Sequence, residues 1–73
     1  MKLDLHGVKH SDVQKLVDSY IWKSINSKTD ELEIITGNSS KMKQLVIKVL
    51  NEYQYEYQVG NPWNSGFIRV FII

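Results

Sequence analysis

Leu3-Asp4-Leu5-His6-Gly7 sets the frame for the rest of the chain. Leu3 and Leu5 alternate with Asp4 and His6, the period-two pattern of a strand with one buried face. Gly7 then supplies a residue that tolerates left-handed backbone. A strand is therefore expected over residues 2–6. Just beyond it, Ser11-Asp12-Val13-Gln14 fits a capping box, with Ser11 as N-cap and Gln14 at the third helical position. Val13, Leu16, Val17, Tyr20, Ile21 and Ile25 recur at helical spacing and form one apolar stripe. The helix should end near Asn26, where Asn-Ser-Lys-Thr-Asp reads as a loop.

A second unit of the same kind follows. Residues 31–36 read as a short strand that closes at Gly37, and Ser39 or Ser40 can cap another helix. Its stripe is Met42, Leu45, Val46, Val49, Leu50 and Tyr53. Residues 54–59 alternate polar and apolar side chains, as in a strand with one wet face. Gly60-Asn61-Pro62-Trp63-Asn64-Ser65-Gly66 is rich in turn formers. Residues 67–73 make the most apolar segment and should lie inside the sheet. The element order is βαβαββ, an α/β chain forming an α+β two-layer sandwich. Two helices on one face of a four-stranded mixed sheet follow from right-handed crossovers between parallel strands. Strand order 1-2-4-3 places the last strand centrally.

With 73 residues the chain has room for one modest core. It is 42% hydrophobic and 23% charged and contains no cysteine, so disulfides and cysteine-held zinc are excluded as staples. No apolar run approaches the roughly 18 residues of a membrane span, and Asp4 and His6 interrupt any signal-peptide core. No membrane partner and a cytoplasmic location are expected. The formal net charge is +1, so any grip on phosphate must come from local placement. Monomer and weak homodimer are both compatible with this size.

The candidate chemistry sits at the first two strand ends. Asp4 and His6 fall on one strand face, and an acid two residues before a histidine can orient the ring as a general acid/base pair. On spacing alone such a pair reads as solvated surface, and His10 reads as a loop residue. Position changes the weighting. His6-Gly7 and Thr36-Gly37 each end a strand before a helix, where open α/β sheets gather ligands and helix N-termini present free N–H groups to phosphate. Gly37-Asn38-Ser39-Ser40 could cradle one, with Lys41 and Lys43 nearby. Simple capping by a serine and a solvated lysine face are the alternatives. On the last strand Phe67, Arg69 and Phe71 would share the open sheet face, as a stacking platform for bases or as a dimer interface. Trp63 could reach a base or a partner. No dense carboxylate cluster suggests a two-metal site, and no cofactor or metal is expected.

These residues resemble the Smr (small MutS-related) domain family. The resemblance is carried by Leu3-Asp4-Leu5-His6-Gly7, by Ile34-Ile35-Thr36-Gly37 in place of a TGxG or HGxG turn, and by Asn64-Ser65-Gly66-Phe67 leading into the terminal strand. It extends over residues 1–73 as one domain. The family is similar in fold to the C-terminal domain of a translation initiation factor, and its members include endonucleases on RNA, among them mRNA on ribosomes, and some that nick DNA. The resemblance implies Asp4 and His6 as the catalytic pair. Gly7, Thr36, Gly37, Asn38, Ser39, Ser40, Lys41 and Arg69 are then the candidate substrate-binding residues. Where the family pattern has a second glycine this chain has Ser39, which offers a hydroxyl instead. The expected function is an endonuclease acting on RNA ahead of DNA, with the ribosome as a further partner. The alternatives are a non-catalytic RNA- or ribosome-binding module, a DNA-nicking nuclease, and an adaptor or homodimer using Phe67 and Phe71.

Overall fold

The computed structural model describes residues 1–72. Its elements are β1 (Lys2–Asp4), α1 (His10–Asn26), β2 (Glu31–Ile35), α2 (Ser40–Tyr53), β3 (Glu56–Val59) and β4 (Phe67–Phe71). They form two layers: a four-stranded sheet of order β1-β2-β4-β3, and the two helices, which pack against each other on one side of it. β1 and β2 are parallel, whereas β4 runs antiparallel to both β2 and β3. The fold class and element order expected from the sequence are observed, and the strand order, which the sequence left open, is the one that places the last strand inside the sheet. Ile73, the last residue of the strand expected over 67–73, lies outside the described residues.

Register follows from which face is dry. Leu3 pairs with Ile34, Ile34 with Ile68, and Leu32 with Val70, so the buried residues align across three strands. All five are at most 4% exposed. A slip by one residue would put every one of them in water, which is why the pattern pins the pairing. Val13, Val17 and Ile21 of α1 and Met42, Val46, Val49 and Leu50 of α2 complete the core, and Tyr20, Tyr55 and Tyr57 pack at its rim. Each fully buried aliphatic side chain contributes about 1.5–3 kcal/mol. In a chain without covalent staples this burial is the main source of stability.

The helix ends differ from expectation in instructive ways. α1 starts at His10, with Lys9 as N-cap and no side-chain cap bond, so the Ser11–Gln14 capping box does not form. The cause lies upstream. Val8 donates to the Leu5 carbonyl at 3.1 Å through a tight turn with Gly7 at φ +75°, and this swings the chain into the helix early. Ser11 is thereby already inside the first turn. Asp12, also in that turn, complements the helix dipole. Further along, Ser24 rather than Ile25 occupies the core face, its hydroxyl donating to the Tyr20 carbonyl at 2.8 Å. Ile25 is 40% exposed.

α2 begins as expected, with Ser39 Oγ accepting the Met42 N–H at 3.1 Å. It closes through Gln54 in the left-handed region (φ 62°, ψ 31°), where Tyr55 N–H reaches the Leu50 carbonyl and Gln54 N–H the Asn51 carbonyl. This is a Schellman closure without its usual glycine. A side chain in that conformation costs about 1–2 kcal/mol. Gln54→Gly should therefore stabilise the fold by about 1 kcal/mol, raising the thermal midpoint by about 4–8 °C for a domain this size. Thermal denaturation followed by circular dichroism checks this.

Candidate nucleic-acid site at the strand ends

β1 and β2 are adjacent and parallel, so the turns that follow them leave the sheet side by side. Asp4 pairs with Ile35, and Leu5 N–H still reaches the Ile35 carbonyl at 2.9 Å after β1 has ended. The first turn is organised by Asp4, whose Oδ1 accepts the backbone N–H of His6 at 2.8 Å. The acid thus meets His6 through the main chain; among the described residues no hydrogen bond joins it to the imidazole. Asp4 and His6 are both exposed at this end of the sheet. A carboxylate that accepts a backbone N–H fixes where the following residue leaves the strand.

The second turn is held from across the sheet. Thr36 N–H and Gly37 N–H both donate to the Gly66 carbonyl, each at 2.9 Å. Thr36 Oγ1 donates to the Gly37 carbonyl at 3.0 Å, with Gly66 O at 3.4 Å. Thr36 is therefore a buried latch, and the Gly37 amide is already committed. Free donors lie further along. Among the described residues no hydrogen bond engages the N–H groups of Asn38, Ser39, Ser40 or Lys41. The Ser40 and Lys41 amides are the unpaired first-turn donors of α2. Ser39 adopts ordinary extended backbone (φ −71°) and caps the helix, so nothing at that position requires glycine.

The remaining residues named from the sequence divide by location. Gly7, Asn38, Ser39, Ser40 and Lys41 are exposed at the strand ends. Asn38 Oδ1 lies 3.5 Å from Ser65 Oγ. Arg69 stands apart on the open sheet face, paired with Glu31 at 3.6 Å, opposite Glu33 and Gln58 in the register. Lys2 pairs with Glu33 at 3.5 Å on the same face. Phe71 lies between Glu31 and Glu56, and Phe67 is only 8% exposed. The basic, aromatic platform suggested by Phe67, Arg69 and Phe71 is thus interleaved with carboxylates, because β2 and β3 contribute glutamates at the paired positions.

Sequence reading missed how the β3–β4 loop is built. Asn61 Oδ1 accepts the N–H groups of Trp63 and Asn64 at 2.9 and 2.7 Å, and Asn64 Oδ1 accepts that of Gly66 at 2.8 Å. The spacing Asn61-x-x-Asn64-x-Gly66 was the available signal, since asparagine side chains bond backbone two or three residues on. Gly60 completes the loop at φ +61°; a Cβ there would lie 2.6 Å from Asn64 O and Ser65 Cα.

A family model for the Smr domain matches residues 3–68. The chain belongs to the Smr domain family, and it is a compact Smr domain. Smr domains are associated with nuclease activity and with nucleic-acid binding. Comparison with curated proteins and with solved structures gives no significant match.

The three left-handed glycines should respond differently to alanine. At Gly7 and Gly37 a Cβ meets open space, so only the backbone conformation resists, at about 1–2 kcal/mol. At Gly60 the backbone clash adds to that, giving about 2–4 kcal/mol. Urea midpoints of Gly7→Ala and Gly37→Ala should fall by similar amounts, with Gly60→Ala the lowest of the three.

Proposed function

We propose that this Smr domain is an endonuclease that cleaves single-stranded or ribosome-associated RNA through acid–base chemistry at His6. The observation that carries this reading is the Asp4–His6 backbone bond beside the uncommitted N–H groups of Asn38–Lys41. The His6 imidazole and a set of phosphate-ready donors share one end of the sheet. His6 exchanges a proton with the ribose 2′-hydroxyl or with the leaving 5′-oxygen. The 2′-oxygen forms a bond to phosphorus as the bond to the 5′-oxygen breaks, which leaves a cyclic phosphate and a 5′-hydroxyl. Donors of the α2 first turn face the charge that develops on the phosphoryl oxygens, and Lys41 adds a positive charge. Asp4 acts as a positioning residue by holding the His6 main chain.

RNA is placed ahead of DNA because this route uses the 2′-hydroxyl. A cytoplasmic site of action agrees with such a substrate. Arg69 is not assigned to substrate in this reading, since Glu31 and Glu33 surround it.

End-labelled RNA and its 2′-deoxy counterpart, incubated with the protein in EDTA, test the proposal. Wild type should cut RNA alone and leave cyclic phosphate ends, and His6→Ala should lower the rate by roughly 10²–10⁴-fold. Asp4→Asn, which keeps an acceptor for the His6 N–H, should retain more activity than Asp4→Ala. Equal cleavage of the deoxy strand overturns the 2′-hydroxyl route, and a requirement for Mg²⁺ overturns its metal-free form. Binding without cleavage by wild type would replace the nuclease with a binding module.

A further inference from the structure

Trp63 is 90% exposed, more than any other large hydrophobic side chain among the described residues. An indole left in water forgoes a large hydrophobic gain, so its presentation calls for a physical account. The loop that carries it is not slack. Asn61 Oδ1 holds the Trp63 backbone N–H itself, and Asn61 and Asn64 bond each other's main chains at 2.9 and 3.3 Å. Gly60 N–H closes the base of the loop on the Phe67 carbonyl at 2.8 Å.

The same loop is fastened to the strand-end site. Gly66 O takes the Thr36 and Gly37 amides, and a Cβ on Gly66 would already lie 3.5 Å from Gly37 Cα. Ser65, which faces Asn38, is two residues from Trp63, a reach of about 7 Å along the backbone. The backbone that carries the indole is thus fixed by hydrogen bonds, two residues from the contact with Asn38, the first residue of the free-amide stretch Asn38–Lys41. Its neighbours in the loop, Asn61, Pro62, Asn64 and Ser65, are all exposed. A protein-docking hot spot sits within an apolar, water-excluding surround; a single aromatic ring among polar side chains beside phosphate-ready donors suits a nucleobase.

We infer that Trp63 is a stacking platform for an unpaired base adjacent to the phosphate held at the α2 N-terminus, so that the site selects single-stranded nucleic acid. This rests on the nucleic-acid reading above and adds the residue that reads the strandedness of the substrate. A base inside a duplex has both faces covered by its neighbours and cannot stack on Trp63 without unpairing.

The chain contains two tryptophans, so Trp22→Phe leaves Trp63 as the sole indole fluorophore. Titrating this variant with a 2′-O-methylated single strand, which lacks the free 2′-hydroxyl, should quench its emission, whereas the duplex of that strand should not. Trp63→Ala should weaken single-strand binding, read by anisotropy of a labelled strand, by about 5- to 150-fold. Trp63→Phe should restore most of it, and duplex affinity should stay unchanged. Undiminished single-strand binding by Trp63→Ala, or unchanged Trp63 emission at saturation, overturns the inference while leaving the nuclease reading intact. Emission that responds to protein concentration alone assigns Trp63 to self-association and likewise overturns it. Failure of wild type to bind either form removes the functional reading together with this one.

Discussion

One carbonyl holds the strand-end region of this molecule together. Gly66 O accepts the backbone N–H groups of both Thr36 and Gly37 at 2.9 Å, which uses the two lone pairs such an oxygen has. The bond pair joins the turn between β2 and α2 to the start of β4, elements thirty residues apart in the chain. β4 in turn lies between β2 and β3, so the clasp extends the central pairing beyond the end of the sheet. Without it only the 3.5 Å contact between Ser65 and Asn38 would tie the β3–β4 loop to the turn that leads into α2. Glycine suits position 66 because a Cβ would meet Asn64 Oδ1 at 3.1 Å, a tight contact with the side chain that accepts the Gly66 N–H.

The clasp also decides which groups remain available. By consuming the Thr36 and Gly37 amides it moves the open donors downstream, to Asn38 through Lys41. That shift accounts for Ser39 where the family pattern has glycine. The residue sits after the tight turn, in backbone that any amino acid adopts, and its hydroxyl satisfies the Met42 amide. A glycine there would leave Met42 uncapped, whereas the serine removes one donor from the first turn and stabilises the rest of it. The departure therefore changes how the helix begins without closing the surface in front of it.

Much of the architecture was legible because burial in this chain is periodic. Leu3, Leu5, Leu32, Ile34, Ile68 and Val70 announce their strands by alternation, and the turn-rich stretch at residues 60–66 separates the last two. The α2 cap was readable for the same reason, since Ser39 precedes an apolar stripe. What escaped was set by neighbours distant in sequence. The capping box at Ser11 failed because a turn five residues upstream fixed where α1 starts. Ser24 reached the core because its hydroxyl could bond back to Tyr20, a possibility that hydrophobic spacing does not register. Likewise, Phe67, Arg69 and Phe71 look like a basic aromatic strip when read along β4 alone. Only the register sets Glu31, Glu33 and Glu56 beside them.

The glutamates have a consequence for how a chain of net charge +1 meets a polyanion. On the open sheet face Lys2 and Arg69 are paired with Glu33 and Glu31, and Glu56 adds a further negative charge. Exposed pairs of this kind contribute little to stability, yet they cancel the attraction those cations would exert on phosphate. At the strand ends Lys9, Lys41 and the two histidines face outward with Asp4 and Asp12 as the opposing acids, and Asp4 has one oxygen on the His6 amide. The near-neutral total thus conceals an uneven surface, in which Lys2 and Arg69 on one face are ion-paired while, among the described residues, Lys9 and Lys41 at one end are in no salt bridge. Recognition built mainly from backbone N–H groups and one aromatic ring needs few free cations. A chain this small can carry such a site without the strongly basic composition by which larger nucleic-acid surfaces declare themselves.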